Sequence, residues 1–361
     1  MVSTRGVRVL KGVWLMQLTP RQMKILSAVV ELYIQTLEPV GSKAVCDMLD
    51  NACSSATVRN EMSALCEKGL IVQPHTSAGR VPSQAGYRIY VDRLMGRYRL
   101  SAHDMEYIDS LIPRRFDSLE QLMEDAGRAL SRLTDCASFS TTPASDSLVI
   151  KNIELFPVSQ SKYLLVMLME PGVLKNRLCR SEFSLSRDML ERFSNALSEC
   201  YKGKSLGDIN PASVQAAAVS LGSDMIPFLS VAENFLIAAK EASSARLMLG
   251  GQEHLFVKRE LSPESAHRIF DAITRRDVLL GLLSGLSERV SILFGNETGQ
   301  SDLDSAGIIS SVYEVGGKTL GRIGIIGPVR MDYIHIIPSI EYFAKSLGNS
   351  LEDSVNNDDW S

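Results

Sequence analysis

A chain of 361 residues with 45% apolar and 22% charged side chains is too apolar to stay disordered and long enough for two or three domains. Its formal charge of −4 excludes a histone-like basic protein, and its longest apolar run, Tyr163–Met169, is strand-sized and too short for a membrane helix. The charge is unevenly spread: residues 1–100 hold 13 Lys and Arg against 7 Asp and Glu, while the remainder hold 25 against 35, so a contact with nucleic acid or an anionic surface is expected at one end only.

Arg5, Arg8 and Lys11 precede Val13–Met16, a stretch too short for a signal h-region and followed by no A-x-A site; a cytoplasmic protein is expected. The six cysteines (Cys46, Cys53, Cys66, Cys136, Cys179 and Cys200) include no CxxC and have no histidine pair at zinc-finger spacing, which reads as buried, reduced thiols without a metal or other cofactor.

Residues 1–15 show no clear periodicity, and 1–17 read as an extension. Thr19 caps a helix with Pro20 at its first position, and Ile25, Val29, Leu32 and Tyr33 recur at helical spacing. Glu38–Gly41 break it, and Ser42 caps a short second helix through Leu49, with Ala44, Val45 and Met48 facing inward. A third helix, capped by Ser54 or Ser55, ends near Gly69. Strand-like Leu70–Val72, a turn-rich loop from Pro74 to Arg80, and Val81-Pro82 follow. Helix, helix, turn, helix, strand, basic loop, strand is the order of a winged helix-turn-helix, assigned here to 18–98.

Beyond Arg99 two helical stretches (101–111 and 117–135) lead to a Ser/Thr/Pro-rich link at Ser138–Ser147. Apolar strand runs come next, at Leu148–Phe156, Tyr163–Met169 and Asn176–Phe183. Residues 187–245 read as helical with breaks at Gly203–Pro211 and Gly222, Gly250-Gly251 as a turn, and Ser262–Leu286 as a long helix. Val290–Phe294, Ile308–Val315 and Leu320–Ile326 read as strands, and a last helix spans about 332–347 around Pro338. An acidic tail, 348–361, closes the chain. Strands, helices, then strands again predict a multidomain α+β protein in which a sheet domain is interrupted by an insertion.

On the third helix Val58, Met62 and Leu65 form one apolar stripe, and the opposite face carries Ala56, Asn60, Ser63 and Ala64, flanked by Thr57 and Arg59. Small and polar residues let such a helix sit deep in a major groove, where Asn pairs with adenine and Arg with guanine. Asn60, Arg59, Thr57 and Ser63 are therefore the expected base readers. Ser54 and Ser55 at the helix N-terminus suit a phosphate, as do Lys43, His75, Thr76 and Arg80, and Arg88 continues the positive stripe.

Enzymatic readings fare poorly. Gly317-Lys318-Thr319 lacks the glycine a phosphate-binding loop needs five positions earlier, where Val312 stands, and fits a hairpin turn better. The five histidines have no metal-binding or catalytic spacing, and no G-x-S-x-G occurs. Arg330, in Gly327–Tyr333, reads as an anchor of a strand-helix junction through a nearby acid, with effector recognition as the rival role. Leu221, Met225, Phe228 and Phe235 read as an exposed apolar face or an ordinary core.

The runs Leu18–Gln22, Glu38–Ser42, Ser55–Met62, Gln73–Pro82 and Gly86–Arg88, with Gly327–Tyr333 far downstream, closely resemble the HrcA family of bacterial heat-inducible transcription repressors, over about residues 18–347. The Asp50–Cys53 linker departs from the family pattern. The resemblance implies a GAF-like domain (99–200 and 275–347) interrupted by an inserted dimerising domain (201–274). It also implies a homodimer on an inverted-repeat DNA operator called CIRCE, a DNA-binding state promoted by the GroEL chaperonin, and no membrane partner. A regulator gated by a small molecule in the GAF-like domain is the alternative.

Overall fold

The computed structural model describes residues 17–50, 53–76, 78–113, 116, 118–142, 148–170, 173–219, 221–243 and 245–356, so the expected N-terminal extension lies outside it apart from Gln17. Two compact units emerge. One comprises the chain through Thr142 together with everything from Leu247 onward; the other is the intervening segment.

In the first unit, α1 (Pro20–Thr36) starts at a capping box between Thr19 and Gln22 and buries Ile25, Leu26 and Val29. The short α2 (Ser42–Met48) buries Val45 and Cys46; Gly41 rather than Ser42 is its N-cap, and Ala44 and Met48 are exposed, contrary to expectation. α3 (Ser55–Glu67) buries Val58, Met62 and Leu65, as its spacing predicts. β1 (Ile71–Val72) and β2 (Val81–Pro82) pair antiparallel, and a bridge between Val40 and Arg80 extends this small wing. α4 (Gln84–Ile89) runs on through a π-helical turn at Tyr90–Leu94.

α5 (Ala102–Leu111) and α6 (Leu119–Thr134) follow, and then β3 (Ala137–Thr141), where the sequence suggested a linker. Its serines misled: Ser138 donates to the Gly127 carbonyl at 2.6 Å and Ser140 to the Met123 carbonyl at 2.9 Å, so both serve as buried spacers under α6. The rest of the link, 143–147, lies outside the described residues.

The second unit opens with β4 (Val149–Ser159), β5 (Lys162–Glu170) and β6 (Val173–Arg180), which form their own antiparallel sheet, and continues with α7 (Arg187–Tyr201), α8 (Pro211–Val219) and α9 (Met225–Ser243). One sheet face, with Ile153, Tyr163 and Leu165, packs with Phe193, Phe228 and Phe235 into a separate core. The interruption therefore runs from 143 to 246, not 201–274. Strands 149–180 cover their apolar face with helices of the same segment, so they do not join the other sheet. Phe228 and Phe235 are fully buried core residues, whereas Met225 is partly exposed.

The first unit resumes at β7 (Leu247–Gly250), an edge strand paired with β3 that the sequence did not reveal, and the expected turn follows at its end, with Gly251 at φ 61°. After α10 (His254–Val257), α11 (Pro263–Thr274) and α12 (Arg276–Ser284) replace the single long helix expected there. β8 (Val290–Phe294), β9 (Ala306–Val315) and β10 (Lys318–Pro328) complete an antiparallel sheet of order β7-β3-β10-β9-β8. Gly316 and Gly317, both at positive φ, form the two-residue β9–β10 turn, the hairpin reading of that motif. α13 (Tyr333–Asn356) passes through Pro338 without ending, and its helix absorbs residues 348–356 of the expected tail. Alternating β residues divide between two cores: Ile309, Ile323 and Ile325 pack under α6 and α13, and Phe139, Ile308 and Ile326 pack under α11 and α12.

Arg88 joins the winged helix to this sheet. Its side chain is 9% exposed, its Nε donates to Glu297 Oε1 at 2.9 Å, and a second bond runs from Nη2 to Glu297 Oε2. Asp92 accepts from Nη1 (3.3 Å) and the Ile292 carbonyl from Nη2 (2.7 Å), and the guanidinium lies 4.5 Å from the Phe294 ring centroid. Tyr87, Phe294 and Tyr333 cluster beside it, and burial pushes both tyrosine hydroxyls above their ordinary pKa. Removing one member of such a pair strands a buried charge, so Arg88→Met should lose about 3–5 kcal/mol, read as a lower urea midpoint. A midpoint within error of wild type would mean that the pair does not hold the two parts together.

Candidate nucleic-acid interface

The exposed face of α3 is built by exclusion. Val58, Met62 and Leu65 face α1 and α2, which turns Ala56, Arg59, Asn60 and Ser63 to solvent. Across the seam, Gln22 donates to Glu61 Oε2 at 3.1 Å and Lys68 donates to Gln22 Oε1 at 3.1 Å, which locks the helix pair behind that face. The side chains of Arg59 and Asn60 have no hydrogen-bond or ion-pair partner among the described residues, so their polar groups are open to a ligand. Ser63 donates to the Arg59 carbonyl at 3.1 Å, and Thr57 is half-buried.

At the N-terminus of α3, Ser54 accepts from the Thr57 amide at 3.2 Å, and its hydroxyl lies 2.9 Å from that of Thr57. Ser55 Oγ lies 3.1 Å from Ser42 Oγ, which brings the starts of α2 and α3 together. Exposed Lys43, the next residue on α2, stands at this junction of two positive helix ends.

The wing presents His75 and Thr76 at its exposed tip; Ser77 lies outside the described residues. Gln73, which sequence reading passed over, holds the loop by donating to the carbonyls of Thr76 (2.8 Å) and Ala78 (3.1 Å). Gly79 is required by close approach: a Cβ there would stand 2.5 Å from the Val40 carbonyl carbon. Arg80 is half-buried, with Nε donating to Cys66 Sγ at 3.1 Å, so it stiffens the wing base rather than projecting from the tip.

Arg88 departs from the expected DNA-contacting set. Buried against Glu297 and Asp92, its charge is neutralised within the protein and has no reach to a phosphate. The sequence suggested that it continues a positive stripe; the missing signal was an acid more than 200 residues downstream. Arg330 behaves as the structural reading proposed, pairing with Glu260 at 3.3 Å and donating to the Ile34 carbonyl of α1. Among the described residues there is no cluster of metal-binding side chains, and no helix is long and apolar enough to cross a membrane.

Comparison with known proteins agrees with this geometry. Residues 17–92 match the model of the winged helix-turn-helix transcription repressor, HrcA DNA-binding, and residues 120–337 match that of the HrcA protein C-terminal domain. The heat-inducible transcription repressor HrcA of Thermoanaerobacter pseudethanolicus is 32% identical over 346 residues, covering 95% of this chain and 100% of the relative. That of Acetivibrio thermocellus is 30% identical over 347 residues, covering 95% and 99%. A crystal structure described as that of a hypothetical protein shares the fold, with a TM-score of 0.58 at 24% identity, covering 94% of this chain and 100% of that one. The chain therefore belongs to the HrcA family of heat-inducible transcription repressors, and its winged helix is a DNA-binding domain of that family.

Proposed function

We propose that the protein represses chaperone operons by binding, as a homodimer, a CIRCE-type inverted repeat, that the GroEL chaperonin promotes its DNA-binding state, and that it acts in the cytoplasm without catalysing a reaction. The observation that carries the DNA reading is the α3 face on which Arg59 and Asn60 stand exposed and unpartnered. In this reading Asn60 and Arg59 read bases, with Ser63 and Thr57 beside them. Lys43, Ser54, Ser55, His75 and Thr76 position phosphates, and Arg80 acts through the wing it braces. An inverted repeat calls for two-fold protein symmetry. The intervening unit supports that requirement with exposed Val219, Ile226 and Leu229, apolar side chains that a monomer would leave in water.

Anisotropy titration of full-length protein against the repeat and a scrambled duplex tests the reading: at least about a thousandfold preference for the repeat is expected, and equal weak binding with GroEL present would overturn it. Asn60→Ala should weaken binding to the repeat by about 1–3 kcal/mol and leave the scrambled duplex unaffected. For Lys43→Ala the expected result is weaker binding to both duplexes, with the slope of log K against log salt reduced by about one. Adding GroEL should raise the fraction of protein that titrates as active, with no change in the Kd of that fraction.

A further inference from the structure

Apolar contact has no preferred direction, so Val58, Met62 and Leu65 fix how deeply α3 packs more firmly than how it is rotated. Rotation decides whether a helix can read bases. A turn of about 20° moves a side-chain tip, roughly 5 Å from the helix axis, by about 2 Å. A bidentate contact with a base edge does not survive that displacement. Reading by α3 therefore calls for a directional contact behind it, and Gln22 supplies one.

Gln22 stands in the first turn of α1, only 7% exposed, with both polar atoms of its side-chain amide engaged. Its Nε2 donates to Glu61 Oε2 at 3.1 Å, and its Oε1 accepts from Lys68 Nζ at 3.1 Å and from the Thr19 amide at 3.3 Å. Glu61 lies within α3 and Lys68 is the C-cap, seven residues later, so one amide meets this helix at points two turns apart. The amide has a donor end and an acceptor end. Its donor faces the acid and its carbonyl faces the cation, and a slipped or rotated α3 would lose both matches. Each partner is also held from elsewhere: Arg21 lies 3.7 Å from Glu61 Oε1, and Lys68 donates to the Gln17 carbonyl at 2.9 Å. Glu61 follows Asn60 directly, about 100° further round the helix, so drawing Glu61 towards α1 keeps Asn60 turned to solvent.

We propose that Gln22 is a positioning residue for base reading: from behind the exposed face it sets the rotation of α3 at which Arg59 and Asn60 meet base edges. The proposal rests on the assignment of those two residues as base readers.

The test uses a reversed pair. Gln22→Glu keeps the size of the side chain and its acceptor for Thr19 and Lys68, but sets a second carboxylate against Glu61. Adding Glu61→Gln restores a donor and an acceptor, with their direction exchanged. Anisotropy titrations of the full chain against the repeat and the scrambled duplex give Kd and, separately, the active fraction. Amide residual dipolar couplings of the free protein give the orientation of α3 against α1. For Gln22→Glu, Kd for the repeat should rise about tenfold or more while that for the scrambled duplex stays within about twofold. The couplings of α3 should shift against those of α1, and the double variant should bring both readouts back towards wild type. Equal weakening on the two duplexes would mark a simple charge effect and overturn the proposal. So would a fall in the active fraction alone, unchanged couplings in Gln22→Glu, or a double variant no better than the single one. If the wild-type protein binds both duplexes alike, the operator reading fails, and the couplings then decide the role of Gln22 by themselves.

Discussion

A guanidinium taken out of water must find enough acceptors within the protein, and Arg88 finds them only where the winged helix meets the sheet. Glu297 takes two of its bonds, Asp92 and the Ile292 carbonyl take others, and Phe294 covers its face. Glu297 also accepts from the Phe294 amide at 2.9 Å, so the acid is itself held by the backbone it caps. The tightness of this arrangement follows from low dielectric: once the site is dry, each member is costly without the others. Gln84 adds bonds to the Asp304 carbonyl at 2.5 Å and from the Asn296 amide at 3.2 Å, and Arg330 does the same at the far end of α1. The DNA-binding helices and the five-stranded sheet share one continuous apolar core around these contacts.

That shared core bears on how the repressor works. A winged helix on a loose tether would present α3 independently of the rest of the chain. Here Tyr87, Ile89 and Tyr90 of the helix that follows the wing are buried in the same core as Tyr333, Phe343 and Leu347. Loosening the sheet unit therefore loosens the support behind α3. In the intervening unit Tyr163, Phe193, Phe228 and Phe235 close a core of their own, so its stability rests on its own contacts.

Much of the winged helix was legible in the sequence because its signals are local. Thr19-Pro20, the Ser54 cap, the Val58–Met62–Leu65 stripe and Gly69 act within a turn or two of the residues they govern. The Gly316-Gly317 turn belongs to the same class. The sheet was harder to delimit. β3 carries serines that pattern reading takes for a linker, and only the α6 carbonyls lying over them explain why they are tolerated in a core. Likewise β4, β5 and β6 look like any strands; that they pair with one another is decided by the helices that cover them.

By itself the sequence determined the order of elements in the head, the face that α3 presents and the family, since periodicity, caps and contiguous motifs are properties of neighbouring residues. Tertiary structure alone decided which charges remain free. Arg59 and Arg88 are the same residue type on helices of one domain, yet one stands in solvent and the other is neutralised by Glu297. The boundaries of the intervening unit and the fate of Arg330 were settled in the same way. The physical reason is common to all three: burial and charge pairing are set by partners distant in the chain, and no local pattern encodes a distance of 200 residues.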